Sequence, residues 1–117
     1  MAACHAPRYI KSCSIRNECP ENVNILVTYG KVGFEPETET DHQRETSLSN
    51  GESYRAEMRI VAHEQCDFVS RIQSIEVTLA DGRKHKVEDP FPGVMSIQPD
   101  WHFIISNDGI KSLPPSS

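Results

Sequence analysis

The sequence predicts an all-β protein, an antiparallel β-sandwich of the jelly-roll or immunoglobulin-like kind with seven or eight strands. Three observations carry that expectation. Apolar residues recur with a period of two: in SYRAEMRIVA, Tyr54, Ala56, Met58, Ile60 and Ala62 alternate with Arg55, Glu57 and Arg59. Such a pattern marks a strand with one face on a core and the other in water. Apolar segments repeatedly end on Asn or Asp followed by Gly, in TSLSNGES, VTLADGRK and IISNDGIK, and these residues make tight turns. No window of useful length keeps the 3.6-residue period of an amphipathic helix, so little helix is expected.

Each segment can be placed in turn. YIKSCSI puts Tyr9, Cys13 and Ile15 on one side. VNILVTY points Val23, Ile25, Val27 and Tyr29 inward, with Asn24 and Thr28 opposite. RETSL leads into the first Asn-Gly turn, where parity sets Leu48 on the face of Tyr54 across Ser49-Asn50-Gly51. SYRAEMRIVA then reads as one strand. SIEVTL alternates Ile75, Val77 and Leu79 with Glu76 and Thr78, and the chain returns through KHKV. Register selects the loop between these two. A two-residue Asp81-Gly82 loop would turn Lys84 and Lys86 toward the core. A three-residue loop, Ala80-Asp81-Gly82, pairs Ile75 with Val87 and Val77 with His85, and sets Glu76 opposite Lys86. Three-residue loops are therefore expected throughout. VMSIQ, after the DPFPG break, and WHFIIS complete the strands, and the turn spacing suits a sandwich or barrel.

The expected core contains Ile15, Val23, Ile25, Val27, Tyr54, Met58, Ile60, Ile75, Val77, Leu79, Phe103 and Ile105. Residues 30–42, GKVGFEPETETDH, read as a long polar excursion. A single domain over residues 1–117 is expected, with flexible ends at about 1–8 and about 113–117.

Composition bounds the function. At 117 residues, 37% hydrophobic and 25% charged, the chain can bury one core without metals or disulfides. A net charge of −5 provides no global basic field for a phosphate backbone, so no nucleic-acid partner is expected. No apolar run reaches the roughly 18 residues of a membrane span. MAACHAPRYIKS has no apolar stretch of the signal-peptide type, and a cytoplasmic address with reduced thiols is expected.

The four cysteines decide whether the chain carries metal or redox chemistry. Structural zinc sites offer two close ligand pairs, whereas here Cys4, Cys13 and Cys19 are widely spaced and Cys66 stands apart in HEQC. Cys13 shares parity with Ile15. Packing, without cofactor or disulfide, is the expectation. In EPETETD, residues 35–41, an extended chain would project Glu35, Glu37, Glu39 and Asp41 to one side as a candidate calcium site, although the run lacks an EF-hand pattern and also suits a solvated loop. The basic tip GRKHK could meet an anion, but Lys84 and Lys86 equally blunt an edge strand. In QPDWHFIIS the only tryptophan makes Asp100, Trp101 and His102 a candidate ligand site, with Trp101 either stacking on a sugar or closing the core.

No nucleophile elbow, phosphate loop, dinucleotide fingerprint or zinc-protease motif occurs. The expected function is thus a small non-enzymatic binding module, with no cofactor, that recognises a protein partner through loops or an edge strand. The alternative is a carbohydrate-binding, lectin-like module, with or without calcium at the acidic run. Homo-oligomerisation through an edge strand is compatible with either.

Overall fold

Alternating strands pair because each inward side chain then leaves water while each backbone N–H and C=O finds a partner. The computed structural model describes residues 9–30, 43–89 and 91–115. Among the described residues there is no helix, and ten strands form. They are β1 (Cys13–Asn17), β2 (Val23–Tyr29), β3 (Gln43–Leu48), β4 (Ser53–Ala56), β5 (Arg59–His63), β6 (Cys66–Ser70), β7 (Ile72–Thr78), β8 (Lys84–Glu88), β9 (His102–Ser106) and β10 (Gly109–Leu113). Two four-stranded sheets, ordered β10-β9-β1-β4 and β3-β2-β7-β8, enclose a common core, and β5 with β6 makes a separate two-stranded hairpin. The all-β sandwich is as the alternation predicts. Pairing is antiparallel except between β1 and β9, which run parallel. The acidic run 35–41 and the flexible end expected at 1–8 lie outside the described residues.

The alternation is realised most fully in β2, where Val23, Ile25, Val27 and Tyr29 are buried and Asn24 is exposed. Ile75 and Val77 of the neighbouring β7 share their inner face, and Cys13 and Ile15 of β1 with Phe103 and Ile105 of β9 meet them from the facing sheet. Each such side chain removed from water contributes about 1.5–3 kcal/mol. Phe91 packs edge-to-face on Phe103, with centroids 5.1 Å apart. The hairpin register expected between β7 and β8 is observed: Ile75 pairs with Val87, Val77 with His85 and Glu76 with Lys86. Leu79 N–H donates to Arg83 O across Ala80-Asp81-Gly82, and Gly82 takes φ +92°, the left-handed position that such a loop requires.

Several expectations are corrected. The strands number ten rather than seven or eight, because CDFVS and GIKSL also pair. GIKSL forms β10 along β9, with Leu113 opposite His102. VMSIQ is not a strand: Val94 is buried, Met95 and Ile97 are exposed, and only Gln98 bridges, to Ile10. The Ser49-Asn50-Gly51 turn does not close a hairpin. It carries the chain from β3 in one sheet to β4 in the other. Gly51 N–H donates to Asn17 O and Asn17 N–H to Glu52 O, which draws the segment onto β1 instead of back along β3. A two-residue loop, Asn107-Asp108, joins β9 to β10, since Ser106 pairs directly with Gly109.

A further correction bears on function. SYRAEMRIVA is two strands, not one. β4 pairs with β1 through Ala56, and the chain then leaves the sheet, so that β5 pairs only with β6 among the described strands. Met58 and Ile60, expected in the core, are 42% and 52% exposed, and Tyr54 is half-buried against the core edge.

Candidate functional site

Asp100, Trp101 and His102 lie where the chain joins β9, and β1 and β4 supply their neighbours. Ser14 of β1 stands between Arg55 of β4 and His102 of β9. Parity puts all three on the outer face of the sheet. Arg55 donates to Asp100 Oδ1, to Ser12 Oγ at 2.8 Å and to Ser14 Oγ at 3.2 Å. Asp100 Oδ1 also accepts from Trp101 N–H at 2.9 Å, and His102 Nε2 lies 3.7 Å from Asp100 Oδ2. The hydrogen bond to Asp100, opposed by partial burial, raises the Arg55 guanidinium above its already high ordinary value. These groups satisfy one another. Ser12 Oγ donates to Pro99 O at 2.6 Å, so the network pins the approach to β9 across three strands.

Trp101 is only 4% exposed. Its Nε1–H donates to Ser112 Oγ at 2.8 Å, and Ser112 donates onward to Pro92 O at 2.6 Å. Gly93 lies against the ring, where a Cβ would stand 3.4 Å from Trp101. The indole closes the core and leaves no open face on which a sugar ring could stack. Beyond His102, an open hollow of about 330 Å³ lies over Ser14, Arg16, Ser53 and Ile104. Arg16 there pairs with Glu18 at 3.5 Å.

Among the described residues the thiols are free: Cys13 and Cys19 are buried and Cys66 is exposed, while Cys4 lies outside those residues. Burial pushes the Cys13 thiol up to about 12, with Arg55 opposing and Asp100 reinforcing the shift. Burial likewise raises Cys19. A thiol so shifted holds almost no thiolate at neutral pH and is a poor nucleophile. Among the described residues no three His, Cys, Asp or Glu side chains cluster as a metal site requires, and the candidate calcium ligands Glu35, Glu37, Glu39 and Asp41 fall outside those residues. At the basic tip, Arg83 pairs with Asp81 at 2.7 Å, Lys84 with Glu76 at 3.7 Å and Lys86 with Glu88 at 3.9 Å. The tip sits on edge strand β8.

The surface that composition and motif did not single out is the β5–β6 arm. Ile60 stands directly opposite Val69, and Ala62 opposite Asp67. Met58, Ile60 and Val69 are 42%, 52% and 37% exposed. The other side of the arm turns inward: Val61 is half-buried, and buried Ser70 donates its hydroxyl to Gly30 O. The arm thus leaves an apolar stripe in water. A two-residue loop, Glu64-Gln65, closes it with φ of +51° and +64°. Both central residues must be left-handed in such a turn, a geometry that favours Asn-Gly. A signal for the arm was present in the sequence: a two-residue loop at Glu64-Gln65 aligns RIVAH with CDFVS and sets Ile60 on Val69.

No family model, curated protein or solved structure matches the chain.

Proposed function

We propose that the chain is a non-enzymatic protein-recognition module whose contact surface is the outward stripe of the β5–β6 arm. The observation that carries this reading is the aligned exposure of Met58, Ile60 and Val69 on a hairpin that pairs with no other described strand. Isolated exposed apolar residues are ordinary, but a contiguous stripe on a projecting element is the kind of surface that a partner covers. Protein stands ahead of glycan because the only tryptophan is enclosed, and sugar recognition leans on open aromatic faces.

The test is retention of a partner from source-cell extract by the immobilised chain, compared with the Ile60→Glu/Val69→Lys variant. Circular dichroism and melting temperature establish that the variant is folded. A protein held by the original chain and lost from the variant by about tenfold or more, equivalent to about 1.4 kcal/mol, is expected. Equal retention by both chains, or binding that simple sugars inhibit and the arm substitutions leave intact, would overturn the reading.

A further inference from the structure

The outward face of the sheet β10-β9-β1-β4 carries no acid in two successive rows. Register aligns Leu113, His102, Ser14 and Arg55 in one row, and Lys111, Ile104, Arg16 and Ser53 in the next. Three cations, a histidine and two hydroxyls thus surround two apolar side chains, in a chain whose net charge is −5. The hollow of about 330 Å³ lies over these rows, and Ile104, Leu113 and Pro114 form its apolar part. No carboxylate lines it. By contrast, the hollow at the end of the sandwich holds Glu21 and Asp81, and the one over the other sheet holds Glu45 and Glu76.

We propose that this hollow binds a carboxylate carried on a small apolar body, with the anion at Arg16 and the body on Ile104 and Leu113. The site is separate from the arm and does not depend on it. Arg16 pairs with Glu18 at 3.5 Å, and both side chains are about half exposed, at 54% and 50%. An ion pair so open to water holds its partner weakly, which leaves the guanidinium able to exchange Glu18 for a ligand. Arg55 is engaged by Asp100 and acts at one remove, donating to Ser14 Oγ at 3.2 Å. Ser14 therefore keeps its own hydroxyl hydrogen for another acceptor. Ser53 stands opposite Arg16 on β4 and adds a second hydroxyl. A guanidinium flanked by hydroxyl donors satisfies both oxygens of a carboxylate. Lys111, level with Ile104 on β10, extends the positive field.

The apolar part of the hollow selects among anions. A phosphate or sulfate would use Arg16 and leave Ile104 and Leu113 in water, whereas a branched aliphatic group covers them. The volume lies at the small end of ligand pockets, which span roughly 300–1,000 Å³, so it suits one such group with its carboxylate. Two sources share that chemistry: a free aliphatic acid, and the C-terminus of a peptide that ends in an apolar residue. Because the hollow is open to solvent and the ligand is small, affinity falls in about the millimolar range.

The test is an amide NMR titration of the full chain with N-acetyl-leucine up to about 50 mM, well past a millimolar dissociation constant. Saturable shifts are expected in β1 and β9 around Arg16 and Ile104. N-acetyl-leucinamide, the same body without the charge, should bind about tenfold more weakly. Arg16→Gln should weaken the carboxylate about tenfold, and Ile104→Ser should weaken both ligands. Glu18→Gln should instead tighten carboxylate binding, because Arg16 loses its competitor, and a misfolded variant would not gain affinity. The arm variant Ile60→Glu/Val69→Lys should bind as the original chain does, so failure of this site and failure of the arm reading are told apart. Isocaproate separates the sources: binding equal to that of N-acetyl-leucine assigns a free acid, and binding about tenfold weaker assigns a peptide C-terminus. Either result upholds the site. No saturable shift in β1 or β9, equal binding of the amide, or binding indifferent to Arg16→Gln would overturn the proposal.

Discussion

Asn17 holds two connections with one fully buried side chain. Its Nδ2 donates to Glu21 O and Leu48 O, each at 3.0 Å, and its Oδ1 accepts from Cys19 N–H at 2.8 Å. Replacement by alanine leaves two buried polar groups and one partly buried carbonyl without partners, at about 1–3 kcal/mol for each buried group. Asn17→Ala should therefore lower unfolding free energy by about 3 kcal/mol or more in urea titration, more than truncation of any exposed side chain on the arm. Cys13 and Tyr29 set a pH limit. Burial, the leading cause in both, raises each group to about 12, from 9.0 for the thiol and 10.0 for the phenol. In between, the unfolded chain has released protons that the folded chain still holds, so stability falls as pH rises. Melting temperature should be level to about pH 9 and then decline, because each pH unit removes about 1.4 kcal/mol per fully shifted group. Cys13→Ala should melt lower at pH 7 yet show a shallower decline between pH 9 and 10. An unchanged slope would count against the buried thiol as its source. The parity of Cys13 was legible in YIKSCSI. The role of Asn17 was not, since an asparagine before a turn is ordinary and its acceptors lie as far away as Leu48.

At the scale of elements, alternation named the inward faces of β2 and β7, whereas segments whose place depended on a long-range partner departed from their reading. The β7–β8 register followed from local parity because one wrong step would have buried two lysines. SYRAEMRIVA kept its alternation across a break at Glu57-Met58. Alternation reports which residues share a face, not whether that face meets a core. The arm's own turn is a source of strain. Two adjacent left-handed residues, neither of them glycine, cost about 1 kcal/mol each. Glu64→Asn with Gln65→Gly keeps the loop geometry and removes that cost. Amide exchange within β5 and β6 should slow about tenfold in this variant, with no change in β2 or β7. Faster exchange throughout the arm would show that the native turn is not strained.

The whole molecule divides into a sandwich that holds the stability and an arm that contributes little to it. Ile105, fully buried, and Ile60, half in water, test that division directly. Ile105→Ala should cost about 2–5 kcal/mol, whereas Ile60→Ala should stay within about 0.5 kcal/mol. Exchange in the original chain should be fastest in β5 and β6 and slowest in β1, β2, β7 and β9. Comparable costs at the two isoleucines would place the arm inside the cooperative core.

By itself the sequence determined the all-β class, most of the inward faces and the three-residue loop at Ala80–Gly82, because side-chain parity and turn chemistry are local. It also separated Asp100, Trp101 and His102 as a cluster, though not their roles. Only the tertiary structure decided that Trp101 closes the core, that Arg55 and Ser14 complete the cluster, that β1 and β9 run parallel, and that Met58 and Ile60 face water. Each of those outcomes depends on which distant strand becomes a neighbour. Strand pairing is a competition among many nearly equivalent edges, settled by the summed burial of the whole core rather than by any one segment.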